Sequence, residues 1–571
     1  MMTTSYISAV VLLAAAAAAP ETSPNIFESP LPPAAAGQID RLVLAKLSSL
    51  NIQPALCSDA VFVRRVYLDV IGTLPTAKEA REFIQDPDSP RGAGAKTKRA
   101  KLIDRLLARD EFADYWAMKW GDVLRIKAEF PVNLWPNAAQ AYHHWVRASI
   151  VQNKPYDQFV RELLTSSGSN FRVPPVNFYR AIQNRTPEGI ATAAALTFMG
   201  SRTDSWPKDR LPGLAVFFSQ IGYKPTREWK EENVFWDPLG SSPAPADGAA
   251  APPAGSGPKA PTTIPARRAP LTAIFPDGTK IQLDPNRDPR EVFAEWLITP
   301  KNPWFTRSIV NRVWAWLLGR GIIHEPDDIR DNNPPSHPEL LAYLEKELVA
   351  GKYDLKRLHR LILNSNTYQL SSMPRFNKPE AAAQFASYPL RRLDAEVLID
   401  AINNIAGTHD LYTSPIPEPF TYIPQDHPAV ALPDGSITSP FLALFGRTAR
   451  ATGMENERDN KPVPAQWLYM LNSVQIQRKL DQSTRLKTII ESGRKPAEIV
   501  EELYLTILSR FPTPDEVKAA EEYGTVTTPG KSATPGKDGK AVKPVAVAKK
   551  RDDWLDITWA LINSIEFLYR H

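Results

Sequence analysis

Two histidines and three aspartates fall inside one polar, proline-rich stretch: His324, Asp327, Asp328, Asp331 and His337. Imidazoles and carboxylates in a loop between helices can hold a hard cation or move a proton. Asn311 and Arg312, on the helical pattern just before the loop, could join them. The loop is therefore the candidate binding or acid–base site, and a divalent cation is the one cofactor it could take. A zinc-protease helix is excluded, because Pro326 breaks the helix and no second histidine follows one turn after His324. The spacing also lacks the Asp-x-Asp-x-Asp-Gly order of a calcium loop. The competing reading makes the aspartates helix caps and partners of Arg312, Arg320 and Arg330.

Other residues offer less. His143 and His144 are adjacent on a helical pattern and cannot face one way, so one belongs to the core and the other to solvent. Trp116 and Trp120 stand one turn apart and read as core. Trp135 and Trp206 lie in loop contexts and are the candidate ligand-contact aromatics. There is no Gly-x-Ser-x-Gly elbow, phosphate loop or dinucleotide glycine fingerprint. Cys57 is the single cysteine, so an internal disulfide, a thiolate zinc cluster and a Cys-x-x-Cys-His haem attachment are all excluded.

These residues must be positioned by helices. Apolar residues recur at helical spacing from Ile39 onward, through FVRRVYLDVIG, KRAKLIDRLLARDEF, DYWAMKWGDVLRI, AYHHWVRASIVQN and YDQFVRELL. Thr76 with Glu79, and Ser336 with Glu339, have the spacing of capping boxes. Asn302 before Pro303, Asp354 and Asp394 are further expected caps. Asp277-Gly278 between two short β-prone runs predicts a hairpin. The expected fold is mainly α: two helical domains of repeated helix–turn–helix units, with a small β-hairpin near the inter-domain linker. The expected boundaries are a signal peptide at 1–19, a linker at 20–37, a first domain at 38–239, a Pro/Ala/Gly linker at 240–270, the hairpin at 271–287 and a second domain at 288–571. A disordered insertion is expected at 525–549, rich in Lys, Pro and Gly.

One pattern repeats. VYLDVIGTLPTAKE at 66–79 matches LYLTILSRFPTPDE at 503–516, and RLLARDEF is echoed later by ALINSIEF. PYDQFVRELLTSSGSNF likewise matches KYDLKRLHRLILNSNTY. The recurring residues are caps and core anchors, so duplication of a helical packing unit competes with convergent capping chemistry.

Composition bounds the partners. The 68 basic and 63 acidic residues are interspersed, leaving a net charge of +5 and no basic stripe for nucleic acid. Residues 6–19 form an apolar, small-residue run, too short to span a membrane and suited to a signal-peptide core, with cleavage expected near Ala18 or Ala19. The chain is thus expected in the periplasm, at the cell surface or outside the cell, with no transmembrane span in its mature form.

Long segments resemble a known pair of domains. IDRLVLAKL, FVRRVYLDVIGTLPT, LIDRLLARDEFADYWAMKWGDVLR and NKPYDQFVRELL resemble the first of two paired domains of unknown function abundant in planctomycetes, family 1549. NPWFTRSIVNRVWAWLLGRGIIHEPDDIRDNNPPSHPELL, YDLKRLHRLILNSNTYQLSS, YPLRRLDAEVLIDAI and EIVEELYLTILSRFPT resemble the second, family 1553. The resemblance implies an exported protein, often associated with a planctomycete-type cytochrome c domain and encoded near sulfatases and other polysaccharide-degrading functions. It implies no established activity. Many relatives carry a Cys-x-x-Cys-His loop before the segment resembling GLAVFFSQIG. Here ALTFMG runs through SRTDSWPKDRLP directly into that segment, so covalent haem is not expected. Near Glu455-Asn456-Glu457-Arg458, where relatives place a cysteine, stands Met454. Three expectations follow: a non-haem accessory, binding or scaffold protein with a glycan or envelope-protein partner; a hydrolase or lyase using the His324–His337 loop; or a redox partner of a separate cytochrome c.

Overall fold

The first helices form where the sequence places its caps. In the computed structural model, which describes residues 25–88, 96–240, 270–376, 379–524 and 549–571, helix α1 spans Gln38–Ser49 and α2 Asp59–Val70. Helix α3 (Ala77–Gln85) opens on the reciprocal Thr76–Glu79 box. Then follow α4 (Lys98–Leu107), α5 (Asp110–Val123), α6 (Pro136–Val151) and α7 (Tyr156–Thr165). Helices dominate the rest as well, and strands are confined to small antiparallel sheets. The signal segment, residues 241–269 of the linker and residues 525–548 of the insertion lie outside the described residues.

Two of the expected caps behave differently. Ser336 does not cap: its hydroxyl donates to the Ile322 carbonyl, and the next helix, Pro338–Ala350, starts after His337 with no side-chain cap. Asp394 precedes the helix Ala395–Ala406 but its side chain turns away into an ion cluster. Asn302 does accept from the Trp304 and Phe305 amides, at 3.0 and 3.2 Å, and Asp354 accepts from Arg357 at 2.9 Å.

The expected hairpin is present, but it is not the largest β element. Strands β1 (Gly168–Ser169), β2 (Ile221–Pro225) and β3 (Glu232–Trp236) form a sheet ordered β1-β3-β2. Its residues, GYKPTREWKEENVFW, carry proline and many charges, which hide the period-two signal. The Asp277-Gly278 hairpin follows as β4 (Thr272–Ile274) and β5 (Lys280–Gln282).

The two halves of the chain share one core. A single cluster of buried apolar side chains includes Ile39, Phe62 and Trp120 from the first half and Trp314, Leu398 and Phe567 from the second. Buried arginines knit the halves together. Arg64 donates to the Ile507 and Phe567 carbonyls, and Arg65 to those of Tyr368, Leu370 and His571. Both are 1% exposed, at positions the sequence marks only as part of a helical pattern. Spare carbonyls at helix and loop ends attract such charge-assisted donors, which would be costly if left unpaired.

The sequence repeat is a structural repeat. Thr513 and Glu516 form a second capping box, opening the helix Pro514–Glu522 as Thr76 and Glu79 open α3. Gly72 and its counterpart Ser509 both adopt left-handed backbone, at φ 64° and 60°. A Cβ at Gly72 would lie 2.5 Å from the Tyr115 ring, so glycine is required there. Arg109 is gripped by Glu79 and Glu111, and Arg510 by their counterparts Glu516 and Glu566. The two units touch: Ala77 and Ala80 pack on Leu505, while Arg81 pairs with Glu501 and Glu502.

Candidate functional site

The His324–His337 loop connects the helix Phe305–Leu318 to the helix Pro338–Ala350, and its polar groups diverge. Asn311 clamps the Ile323 backbone, accepting from its amide at 2.8 Å and donating to its carbonyl at 2.9 Å. Arg312 is buried, donating to Asp327 at 2.6 Å and to the Thr197 carbonyl at 2.9 Å. The other Asp327 oxygen accepts from the Glu455 amide. Asp328 pairs with Arg330 at 3.0 Å. His324 is exposed beside Glu325, Asp331 is exposed, and His337 is buried against Phe385. Burial pushes the pKa of both histidines down. Among the described residues no group of three or more His, Cys, Asp or Glu side chains could hold a metal ion. The loop brings together Arg312 and Asp327, held by Asn311's clamp, and separates the rest.

A denser charge cluster lies at the junction of the halves. Asp394, fully buried, accepts from Lys119 at 3.0 Å, Arg570 at 2.8 Å and Asn460 at 2.9 Å. Burial would raise its pKa, but Lys119, Arg570 and Arg458 hold it well below the usual carboxylate range. Arg458 spans Asp122 and Glu396, at 2.8 and 2.7 Å, and Arg450 also pairs with Asp122. Burial opposes ionisation of Glu396, yet Arg458 and Arg447 hold its pKa down to about 2. Each carboxylate here is matched by cations, the arrangement that fixes an interface. His143 is buried with neither ring nitrogen partnered, and burial pushes its pKa far down, while His144 is exposed.

The exposed chemistry is aromatic. The segment 127–135 closes on itself: Trp135 donates its amide to the Ala128 carbonyl at 3.0 Å and Leu134 to that of Lys127 at 3.2 Å. Its base is held by Asp434, which accepts from the Ala128 amide, and by Arg180, which donates to the Leu134 carbonyl. Trp135 sits at φ 73°, ψ 147°, a backbone region used almost only by glycine. The contacts at its base impose that backbone and leave the indole half-buried, where two other segments meet it. Trp229, at the turn between β2 and β3, stands edge-on with centroids 6.3 Å apart. Phe420, from the second half, stands edge-on at 5.4 Å. The Lys230 ammonium lies 5.7 Å from the Trp135 ring and 5.2 Å from the Trp229 ring. Trp229 is 66% exposed and Phe420 40%. Phe130 and Tyr422, on the same two loops as Trp135 and Phe420, are 81% and 71% exposed. Trp206, by contrast, donates its indole N–H to Ser201 at 3.1 Å and packs against the core.

The sequence marks Trp135 but not its companions. Trp229 is a lone aromatic in the charged run KPTREWKEE, a context that could have flagged it. Phe420 has no such signal, because only the tertiary fold carries it to Trp135.

Two family models match the chain. Residues 38–203 match "Protein of unknown function (DUF1549)" and residues 289–524 match "Protein of unknown function (DUF1553)". No curated protein and no solved structure matches it. The chain belongs to the planctomycete-type proteins that pair these two domains of unknown function.

Proposed function

We propose that this chain is an exported, non-haem accessory protein that binds glycan chains through the aromatic platform of Trp135, Trp229 and Phe420. The platform is the observation that carries the reading. The faces of aromatic rings are electron-rich and attract the polarised C–H groups on the faces of sugar rings. Edge-on rings from three segments present faces in different directions along one surface, which suits successive residues of a polymer better than one small molecule. Lys230, with no carboxylate partner among the described residues, adds a cation beside two of the rings and favours glycans bearing anionic groups. The signal-like segment supports export, and the polysaccharide-degrading neighbourhood implied by the family resemblance supports a role in glycan processing or envelope organisation.

Affinity electrophoresis of the full chain through neutral, uronate-bearing and sulfated polysaccharides tests the reading. Retardation by an anionic polysaccharide, lost in Trp229→Ala, is expected. Migration unaffected by every glycan, with capture of an envelope protein through the same face, would contradict it. Amino-terminal sequencing of protein from the envelope fraction tests export, with a start just after Ala18 or Ala19 expected.

A further inference from the structure

A cleft lies between the start of α1 and the helix Leu355–Leu363, with about 320 Å³ of space for a ligand. Arg357, Arg360 and Asn364 line it from one face of that helix and its C-cap, at i, i+3 and i+7. Gly37 and Gln38 face them from the first turn of α1. Gly37 has extended backbone, at φ −157° and ψ −168°, and a Cβ built on it would meet no atom within 4 Å. The space in front of it is open.

The polar groups here are mostly donors with unused capacity. Arg360 donates to Asp104 through Nε, at 2.6 Å, and its two terminal nitrogens make no hydrogen bond among the described residues. Lys96 pairs with the same Asp104, so that carboxylate does not neutralise Arg360 alone. Arg357 is held by Glu347 at 2.8 Å. The Gln38 side-chain oxygen accepts from Arg41 at 2.8 Å, so its NH2 group is left to donate. Arg41 itself has no carboxylate partner among the described residues. Helix α1 has no side-chain cap, which leaves the amides of its first turn to a ligand. Asp40 is the one carboxylate in that turn, and donors from Ala36, Asn366 and Thr367 occupy both its oxygens. Asn364 adds an acceptor: its Nδ2 donates to the Arg360 carbonyl at 2.8 Å, which leaves Oδ1 to receive a hydroxyl.

We propose that this cleft binds a single acidic sugar by its oxyanion, a sulfate ester or a carboxylate. The free end of the Arg360 guanidinium matches two oxygens of such a group. The Gln38 NH2 group and the first amides of α1 add donors from the opposite wall. Arg41 and Arg357 make the surrounding field positive. Asn364 Oδ1 accepts a ring hydroxyl, which separates a sugar from a bare anion. The space is near the lower bound of small-molecule pockets, about 300 Å³, so one ring fits and a chain does not. The oxyanion follows from the cleft alone, whereas the sugar that carries it rests on the glycan reading of the platform.

Calorimetry on the full chain with glucose 6-sulfate, glucuronate, inorganic sulfate and glucose tests it. Saturable binding of an acidic sugar is expected, and glucose should not bind. Inorganic sulfate should bind about tenfold more weakly, the loss of about one well-placed polar contact. Arg360→Gln should weaken the acidic sugar and inorganic sulfate alike, about tenfold. Gly37→Phe fills the open space without removing a side-chain contact and should abolish binding of every anion. Circular dichroism checks that both variants are folded. Sulfate bound as tightly as the acidic sugar, and lost in Gly37→Phe, would assign the cleft to the free ion and overturn the sugar. No saturable binding of any anion, or unchanged affinity in Gly37→Phe, would overturn the proposal. The titrants are single sugars and ions, so these titrations can fail while polysaccharide retardation through Trp229 succeeds, and the reverse.

Discussion

Trp135 meets Phe420 edge-on, with ring centroids 5.4 Å apart and planes at 63°. One ring belongs to the segment matched by the first family model and the other to the segment matched by the second. The exposed platform therefore exists only when both halves are folded together, and Arg450, paired with Asp122, donates to the Ile126 carbonyl at the start of the Trp135 segment. Substitutions at the junction should act on stability, and substitutions at the platform on binding.

Trp229→Ala removes a side chain that is 66% exposed and serves no core contact. Thermal denaturation should show a change within about 0.5 kcal/mol, the usual range for surface substitutions. Glycan affinity should fall about tenfold or more.

Asp394→Asn leaves Lys119 and Arg570 buried without their carboxylate. Urea denaturation should show a loss of about 3–5 kcal/mol, the cost of breaking a buried pair on one side. Lys119→Met should cost less, because Arg570 still neutralises Asp394.

The loop at 324–337 divides in the same way. Asp327→Ala strands the buried Arg312 and should cost about 3–5 kcal/mol. Asp331→Ala, at an exposed position, should change stability by less than about 0.5 kcal/mol. Equal effects in chemical denaturation would contradict the assignment of Asp327 as an internal staple.

Asp400 supplies a pH dependence. Burial pushes its carboxyl up to about 7, despite hydrogen bonds from the Ala429 and Val430 amides. In the unfolded chain it titrates near 3.8, so between these values the folded state binds the proton more tightly. Its contribution is present below the lower value and lost as pH rises through the higher one. Glu396 has the opposite sign: its folded pKa is about 2, so its contribution is lost as pH falls below about 4.5. Denaturation midpoints of Asp400→Asn should decline less between pH 4 and 7 than those of the natural protein. Parallel curves would contradict the shift.

Much of the helical frame is legible in the sequence because helix periodicity and capping are local. Thr76 with Glu79, Asp354 and the Asp277-Gly278 turn all act where their spacing places them. Ser336 and Asp394 show the limit. Each has the local chemistry of a cap, but Ser336 finds the Ile322 carbonyl and Asp394 finds three cations from distant segments. Arg64 and Arg65 are illegible for the same reason, since nothing local announces the carbonyls that receive them. Trp135 is legible as a loop tryptophan, whereas Phe420 gains meaning only from what the fold sets beside it.

The central claim is that Trp135, Trp229 and Phe420 bind one glycan surface. A glycan array probed in parallel with the natural chain, Trp135→Ala, Trp229→Ala and Phe420→Ala, each verified as folded by circular dichroism, tests it most directly. One set of anionic glycans should bind the natural chain and be lost or strongly weakened in all three variants. Binding that survives all three substitutions, or no glycan bound by the natural chain, would contradict it.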